Sequence, residues 1–328
     1  MDKRNVTIYE VAQEAGVSVA TVSRVLNSGR VAPETRRRVL EAMDRLGYLP
    51  NTLARSLATG TSRAVGVIIP DAAGPLYGRM LRGVGDALEA AGYTYITGTS
   101  ARDPDREARM LRDLGARKVD AVVLIGSSLD GSALRALGAA LPPVVLVERE
   151  GGGAGAPAVT VDNEGAAYAA TRYLIARGHT RIAHVRGPRR AGQERYAGYR
   201  RALREAGLAE GPVVSGDFSE LGGYRAMRAL LERPGFTAVF LANDRMALGA
   251  YKALREAGVR VPEEVSVVGF DDLVFAAYLD PPLTTLRQPA YELGRAAAKA
   301  VLACLDGAVP ANVVLSCELV PRASVMER

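Results

Sequence analysis

The sequence predicts two architectures in series: an N-terminal all-α helix-turn-helix headpiece, then an α/β core of two doubly wound lobes. Three observations carry this. Short amphipathic helical patterns fill the first fifty residues, a segment bracketed by Pro50 and Gly60 follows, and β-branched runs then alternate with helical stretches. At 328 residues the chain is too long for one small core. The boundaries fall at 1–49 for the headpiece, 50–61 for a hinge and 62–328 for the core. Lobe 1 takes approximately 62–161 plus 290–317, and lobe 2 approximately 162–289 plus 318–328.

Thr7-Ile8-Tyr9-Glu10 has the form of a capping box that opens a helix. Ile8, Val11, Ala12 and Ala15 then fall on one stripe, and Gly16 ends it as a residue tolerant of positive φ. Ser18 caps a second helix with Val22, Val25 and Leu26 inward. A third opens at Pro33-Glu34, buries Val39, Ala42, Met43 and Leu46, and ends at Gly47. The second helix leaves Val19, Ala20, Thr21, Ser23, Arg24 and Asn27 off its core face, a set suited to the DNA major groove. Arg24 fits a guanine edge, and Val19 and Ala20 fit thymine methyls. Thr7, Ser18, Thr21, Ser23 and Asn27 are short hydrogen-bonders suited to phosphate oxygens. An ordinary α-hairpin with a solvated face is the competing reading. The capping box, the glycine turn and the basic run "ETRRR" together weigh against it. Residues 1–61 carry nine Lys/Arg against six Asp/Glu, half of the net charge of +6, which points to a polyanion partner.

Beyond residue 62, "AVGVIIP" (64–70), "YTYITGT" (93–99), "AVVLIG" (121–126) and "VVLVE" (144–148) have the pattern of buried parallel strands. Helical stretches lie near 76–91, 103–116 and 130–139. A second series follows: "RIAHVRG" (181–187), "VVSGDF" (213–218), "AVFLAND" (238–244) and "VSVVGF" (265–270). In doubly wound sheets ligands sit beyond the carboxyl ends of the strands, so a cleft between the lobes is expected. Asp71, Glu148, Asn243-Asp244 and Asp271-Asp272 are the polar groups at those ends.

Several classes are excluded. No run of 18 apolar residues occurs and the N-terminus lacks an apolar h-region, so neither a transmembrane helix nor a signal peptide is expected. A cytoplasmic location follows as an expectation. Cys304 and Cys317 are too few for a disulfide framework. "GGGAGAP" (151–157) lacks the Lys-Ser/Thr of a P-loop, and no Gly-x-Ser-x-Gly elbow or metal-ligand spacing is present. His179 and His184 fit structural roles. Neither catalysis, a metal nor a cofactor is expected.

"TIYEVAQEAGVSVATVSRVLN", "YLPNTLARSL" and "VSVVGFDD…PPLTTLRQP" resemble the lactose-repressor (LacI-type) transcription regulators, with the headpiece most similar to the galactose-repressor branch. The resemblance runs along essentially the whole chain. It implies a type I periplasmic-binding-protein-like core whose lobes are joined near Val161–Asn163, Arg287–Pro289 and Cys317–Pro321. It also implies that "PNTLARSLATG" folds on operator DNA and pairs with its dimer mate. Leu57 matches the leucine wedged into the minor groove, Ala54 would allow close approach, and Arg55 would contact backbone or groove edge. A plain linker is the alternative. Arg195, Asn243 and Asp271 match effector hydrogen-bonders, Phe218 a packing aromatic, and Glu148 an acidic contact. Tyr77 belongs to a Pro-aromatic-aromatic wall in which Leu76 departs from the pattern.

The implied function is a sequence-specific DNA-binding regulator, a repressor, controlled by a small effector of sugar type. A purine-like corepressor or a protein co-effector are alternatives, and a solute-binding protein without DNA function is the rival from another class. The implied partners are pseudo-palindromic double-stranded operator DNA, a carbohydrate effector and a second copy of the chain. The missing heptad tail favours a homodimer over a tetramer; no membrane is involved.

Overall fold

The computed structural model describes residues 6–26, 29–49, 56, 60–129, 131–137, 141–149, 155–233 and 235–328. The chain forms two compact units, Met1–Ser62 and Arg63–Arg328.

The first unit holds α1 (Ile8–Ala15), α2 (Val19–Leu26) and α3 (Pro33–Leu46). The capping box forms: the Thr7 N–H donates to the Glu10 carboxylate at 2.8 Å, and Thr7 Oγ1 accepts from the Glu10 N–H at 3.4 Å. Gly16 adopts φ 62°, where a side chain is strained, and lets the chain turn into α2. Ser18 Oγ accepts from the Thr21 N–H at 3.2 Å. Val11, Val22, Val39 and Ala42 are fully buried, with Leu26, Met43 and Leu46 packed at the margin. The basic run at 36–38 has an internal duty that its charge did not reveal. Arg36 donates to the carbonyls of Val25 and Gly29 (3.3 and 2.9 Å), and Arg38 to those of Ala15 and Gly16. Two of the three arginines thus satisfy carbonyls orphaned at the ends of α2 and α1.

The second unit contains two parallel sheets. The first has the order β11-β5-β4-β3-β1-β2. Its strands are β1 (Ala64–Ile69), β2 (Thr94–Thr99), β3 (Ala121–Ile125), β4 (Val144–Val147), β5 (Ala158–Val161) and β11 (Val313–Leu315). The second sheet has the order β7-β6-β8-β9, with β6 (Ile182–Arg186), β7 (Val213–Ser215), β8 (Ala238–Leu241) and β9 (Ser266–Val268). An antiparallel pair, β10 (Thr285–Arg287) with β12 (Glu318–Val320), lies apart from both. The β-branched runs bury because parallel strands are covered on both faces: β3 and β8 are buried throughout. β5 and β11 form strands where the sequence offered only a crossover segment and no strand pattern. Four and three residues are too few for a periodic signal, and their pairing with each other supplies the order. β7 and β8 end earlier than expected, at Ser215 and Leu241, freeing Phe218 and Asn243 for loops.

The covering helices cross at glycine. α4 (Pro75–Ala90) packs on α11 (Ala290–Leu305), and a Cβ on Gly83 would stand 2.0 Å from the Tyr291 carbonyl oxygen. A Cβ on Gly294 would meet the Met80 carbonyl at the same distance. Backbone therefore touches backbone, and no side chain can yield. Gly83→Ala is expected to destabilise the core by about 1–3 kcal/mol through overpacking. Gly78→Ala in the same helix has nothing within 4 Å to meet and is expected to stabilise by up to about 1 kcal/mol through helix propensity. Thermal melts of the two variants check this, and equal shifts would refute the backbone contact.

Candidate functional site

Two surfaces collect the residues singled out above. On the headpiece, Ala20 and Arg24 of α2 are exposed, while Thr21 and Ser23 are half-buried. Val19 is half-buried against the headpiece core, so part of its side chain serves packing. The Thr7 and Ser18 hydroxyls are engaged locally, Thr7 with Glu10 and Ser18 with Thr21 at 3.0 Å. Asn27, Ala54, Arg55 and Leu57 lie outside the described residues.

The second surface is a cavity of about 570 Å³ in the core unit. Its walls come from segments that follow the carboxyl ends of strands in both sheets. From the first sheet come the N-terminus of α4 with Tyr77, the residues before α5 (Pro104–Ala116) with Arg102, the turn after β3, and Glu148 after β4. From the second come Arg189 and Arg195 of α8 (Arg189–Glu205), Phe218, Asn243 and Arg245 at the start of α10 (Asp244–Glu256), and Asp271 after β9. Gln288 closes the floor beyond β10.

Arg195 is the best-held group. Its Nε donates to Asn163 Oδ1 at 2.9 Å and Nη1 to the Ala242 carbonyl. The guanidinium lies 3.5 Å from the centre of the Phe270 ring, and Nη1 is 3.8 Å from Asp271 Oδ1. Asp271 accepts from Gln288 Nε2 at 2.7 Å. Burial pushes its carboxyl above the ordinary value, opposed first by Arg195. Gln288 Oε1 is buried and has no hydrogen-bond partner among the described residues. Asn243 is largely committed to local structure: Oδ1 caps α10 through the Met246 N–H at 3.0 Å, and Nδ2 donates to the Phe218 carbonyl at 3.2 Å. The Glu148 carboxyl is pushed up to about 7, by burial first and then by Asp271, with Arg195 opposing. Burial also raises the Tyr77 phenol, whose oxygen accepts from Arg102 Nη2 at 3.3 Å.

Six of the nine residues expected at the cleft line this cavity; Asp244 and Asp272 do not, being held by Thr285 and by Arg287 and Arg322, and neither does Asp71. Its carboxylate accepts from the Ala73 N–H at 2.9 Å and stands 3.6 Å from Arg245. The cavity also holds residues that strand-end reasoning passed over, namely Arg102, Arg189, Arg245 and Gln288. Gln288 stood within the quoted "LRQP" stretch. Arg102 and Arg189 carried no sequence signal, because what places them is backbone geometry. Arg102, Glu148, Arg189, Phe218 and Asp271 all have φ between 58° and 118°, a conformation costly for side-chain-bearing residues and concentrated at functional sites. His179 and His184 lie elsewhere and are buried; His184 Nδ1 pairs with the Phe240 carbonyl at 2.8 Å. Among the described residues no group of His, Cys, Asp or Glu is arranged to hold a metal ion, and no helix is long and apolar enough to cross a membrane.

Comparison with known proteins agrees with this arrangement. Residues 7–51 match the family of bacterial regulatory proteins of lacI type, and residues 171–325 match a periplasmic binding protein-like domain. The HTH-type transcriptional repressor CytR of Escherichia coli K12 is 36% identical over 329 residues, covering 97% of this chain and 96% of CytR. The transcriptional regulator CelR in complex with cellobiose is 37% identical with a TM-score of 0.75, covering 97% of this chain and 99% of its own. The lac repressor dimer bound to operator and the anti-inducer ONPF is 30% identical with a TM-score of 0.88, covering 98% and 100%. The chain belongs to the lacI family of bacterial regulatory proteins and is a transcriptional regulator, with a helix-turn-helix headpiece for DNA and a periplasmic-binding-protein-like core.

Proposed function

We propose that the protein is a cytoplasmic repressor that binds a pseudo-palindromic operator as a homodimer and is switched by a carbohydrate effector in the core cavity. The carrying observation is the Arg195–Asp271–Gln288 group. It sets a guanidinium donor beside a carboxylate and an unpartnered amide oxygen, with the Phe218 ring 5.9 Å from the guanidinium. Adjacent hydroxyls of a sugar need donors and acceptors together, and a sugar's apolar face needs an aromatic ring. CelR with cellobiose supports the same ligand class. Glu148 and Tyr77 approach from the first sheet's side, so a bound sugar would touch both lobes and couple its binding to their closure. For the dimer, the edge strand β2 leaves Tyr95 and Ile96 about two-fifths exposed, apolar surface that a second copy would cover.

At the operator, Arg24 and Ala20 read base edges while Thr7, Ser18, Thr21, Ser23 and Asn27 approach phosphates. The hinge leucine Leu57 wedges into the minor groove, flanked by Ala54 and Arg55. Linkage then requires effector and operator to alter each other's affinity by the same factor.

Three outcomes are expected. Asp271→Ala abolishes the effector-induced change in operator affinity while operator binding itself persists, as read by fluorescence anisotropy; a retained response moves the site elsewhere. Leu57→Ala weakens operator binding at least tenfold without changing effector affinity, and unchanged operator binding sinks the wedge. The third concerns pH. Glu148 titrates near 7 folded against an ordinary 4.5, so the folded protein holds a proton that the unfolded chain releases between those values. Its contribution to stability falls as pH rises through that window. His184, buried neutral and lowered to about 3, acts in the opposite sense below 6.5, so the comparison is made against Glu148→Gln. Between pH 5 and 8 the wild type is expected to lose thermal stability relative to that variant; a pH-independent difference would count against the raised carboxyl.

A further inference from the structure

We infer that the effector is an anionic, phosphorylated carbohydrate whose phosphoryl group is held by Arg102 and Arg189. The inference rests on the cavity being the effector site, and it names the ligand class within it. Six arginines line the cavity (Arg102, Arg149, Arg189, Arg190, Arg195 and Arg245) against two carboxylates, Glu148 and Asp271. Three of the six are already neutralised: Arg190 by Glu194 at 2.6 Å, Arg195 by Asp271 at 3.8 Å, and Arg245 by Glu220 at 2.8 Å. Arg102 and Arg189 make no ion pair among the described residues. Both line the cavity, and after burial Arg102 is the main influence holding the Arg189 guanidinium below its ordinary value. An anion between them would relieve that repulsion.

Among the described residues the nearby acids act on the two guanidiniums but form an ion pair with neither. Glu107 acts on Arg189, and its carboxylate accepts from the Ser127 hydroxyl and from the Ser128 N–H at 2.9 Å. Glu148 acts on both guanidiniums, and its carboxyl is pushed up to about 7, by burial first. The backbone at both arginines lies in the left-handed region. Arg102 has φ 61° and its carbonyl accepts from Ser128 Oγ at 3.2 Å; Arg189 has φ 63° at the first position of α8. Paired guanidiniums present several N–H donors to a dianion at once, in the forked geometry that suits phosphate. A neutral sugar would bring no anion to either guanidinium. The polar group around Asp271, Arg195 and Gln288 then holds the sugar hydroxyls while Arg102 and Arg189 hold the phosphate.

Calorimetric titration of the full-length protein tests this with matched pairs: glucose and glucose 6-phosphate, fructose and fructose 1-phosphate, ribose and ribose 5-phosphate, with glucuronate, inorganic phosphate, adenine and adenosine alongside. At least one phosphorylated sugar is expected to bind tenfold or more tighter than its neutral parent. Arg189→Gln and Arg102→Gln should each reduce that preference at least tenfold, read as the ratio of the two affinities so that any loss common to both ligands cancels. Asp271→Asn should weaken both members of the pair. Equal or tighter binding of the neutral parents would overturn the phosphoryl assignment and leave the sugar site standing. Preference for glucuronate over every phosphosugar would overturn it in favour of a carboxylate. Binding of nucleobases or nucleosides, with silence from every sugar, would overturn the carbohydrate reading and this inference together.

Discussion

Three carboxylates buried at the carboxyl end of the second sheet are the constraint on which the core depends. Asp244 receives the Thr285 hydroxyl at 2.6 Å and the Leu273 N–H at 2.8 Å. Asp271 receives Gln288 and stands against Arg195. Asp272 holds Arg287 at 2.7 Å and Arg322 at 2.6 Å. A charge in such a place is tolerated only when paired, and removing one partner of a buried pair typically costs about 3–5 kcal/mol. The partners come from α8, β10, the segment beyond β10 and the C-terminal stretch, segments far apart in sequence. The acids therefore pin those segments to one geometry, and the cavity wall is part of that geometry.

The same cluster explains the electrostatics of the cavity. Burial first, and then the Asp271 charge, push the Asp244 carboxyl well above its ordinary value, while burial raises Asp271 and Arg195 opposes it. Asp272, with two guanidiniums, is held below its ordinary value. Adjacent residues in the chain thus end with opposite shifts, and the difference is their partners. Arg195 is shared between a carboxylate, an amide oxygen, a carbonyl and the Phe270 ring, so it is fixed before any ligand arrives. A preorganised donor loses little freedom on binding, which is where affinity is most readily gained.

The architecture was legible in the sequence wherever a physical signal repeats. Capping box, glycine stop and apolar stripe set out the three headpiece helices, and uninterrupted β-branched runs marked the buried strands. Strand ends pointed to Glu148, Asn243 and Asp271. What stayed hidden depends on tertiary placement. "ETRRR" has the look of a DNA-facing charge, yet Arg36 and Arg38 close helix ends inside the headpiece. Asp71 sits at a strand end like the others but turns to Ala73 and Arg245. Arg102 and Arg189 owe their positions to backbone conformations that no composition rule foresees.

The two lobes of the core differ in how they are held internally and how they are held to each other. Within a lobe, helices touch backbone to backbone: α4 meets α11 at Gly83 and Gly294, and α9 (Glu220–Leu231) meets α10 at Gly223 and Gly249. Such contacts deform little, so each lobe moves as a body. Between the lobes, Leu273 and the half-buried Phe275 of the second lobe pack into the first lobe's apolar cluster, and polar links accompany them. Arg79 of α4 donates to the Asp272 carbonyl at 3.1 Å, and Asp71 faces Arg245 at 3.6 Å while both remain partly exposed. A partly exposed ion pair contributes about 0–1 kcal/mol, well below what burying a ligand between the lobes supplies. Because a ligand shifts an equilibrium only by its differential affinity for the two states, a ligand in this cavity would act on lobe closure through contacts it makes with both stiff lobes. Arg79 reports that closure most directly, since it rises from the first lobe's helix and ends on the carbonyl of Asp272, inside the carboxylate cluster that holds the second.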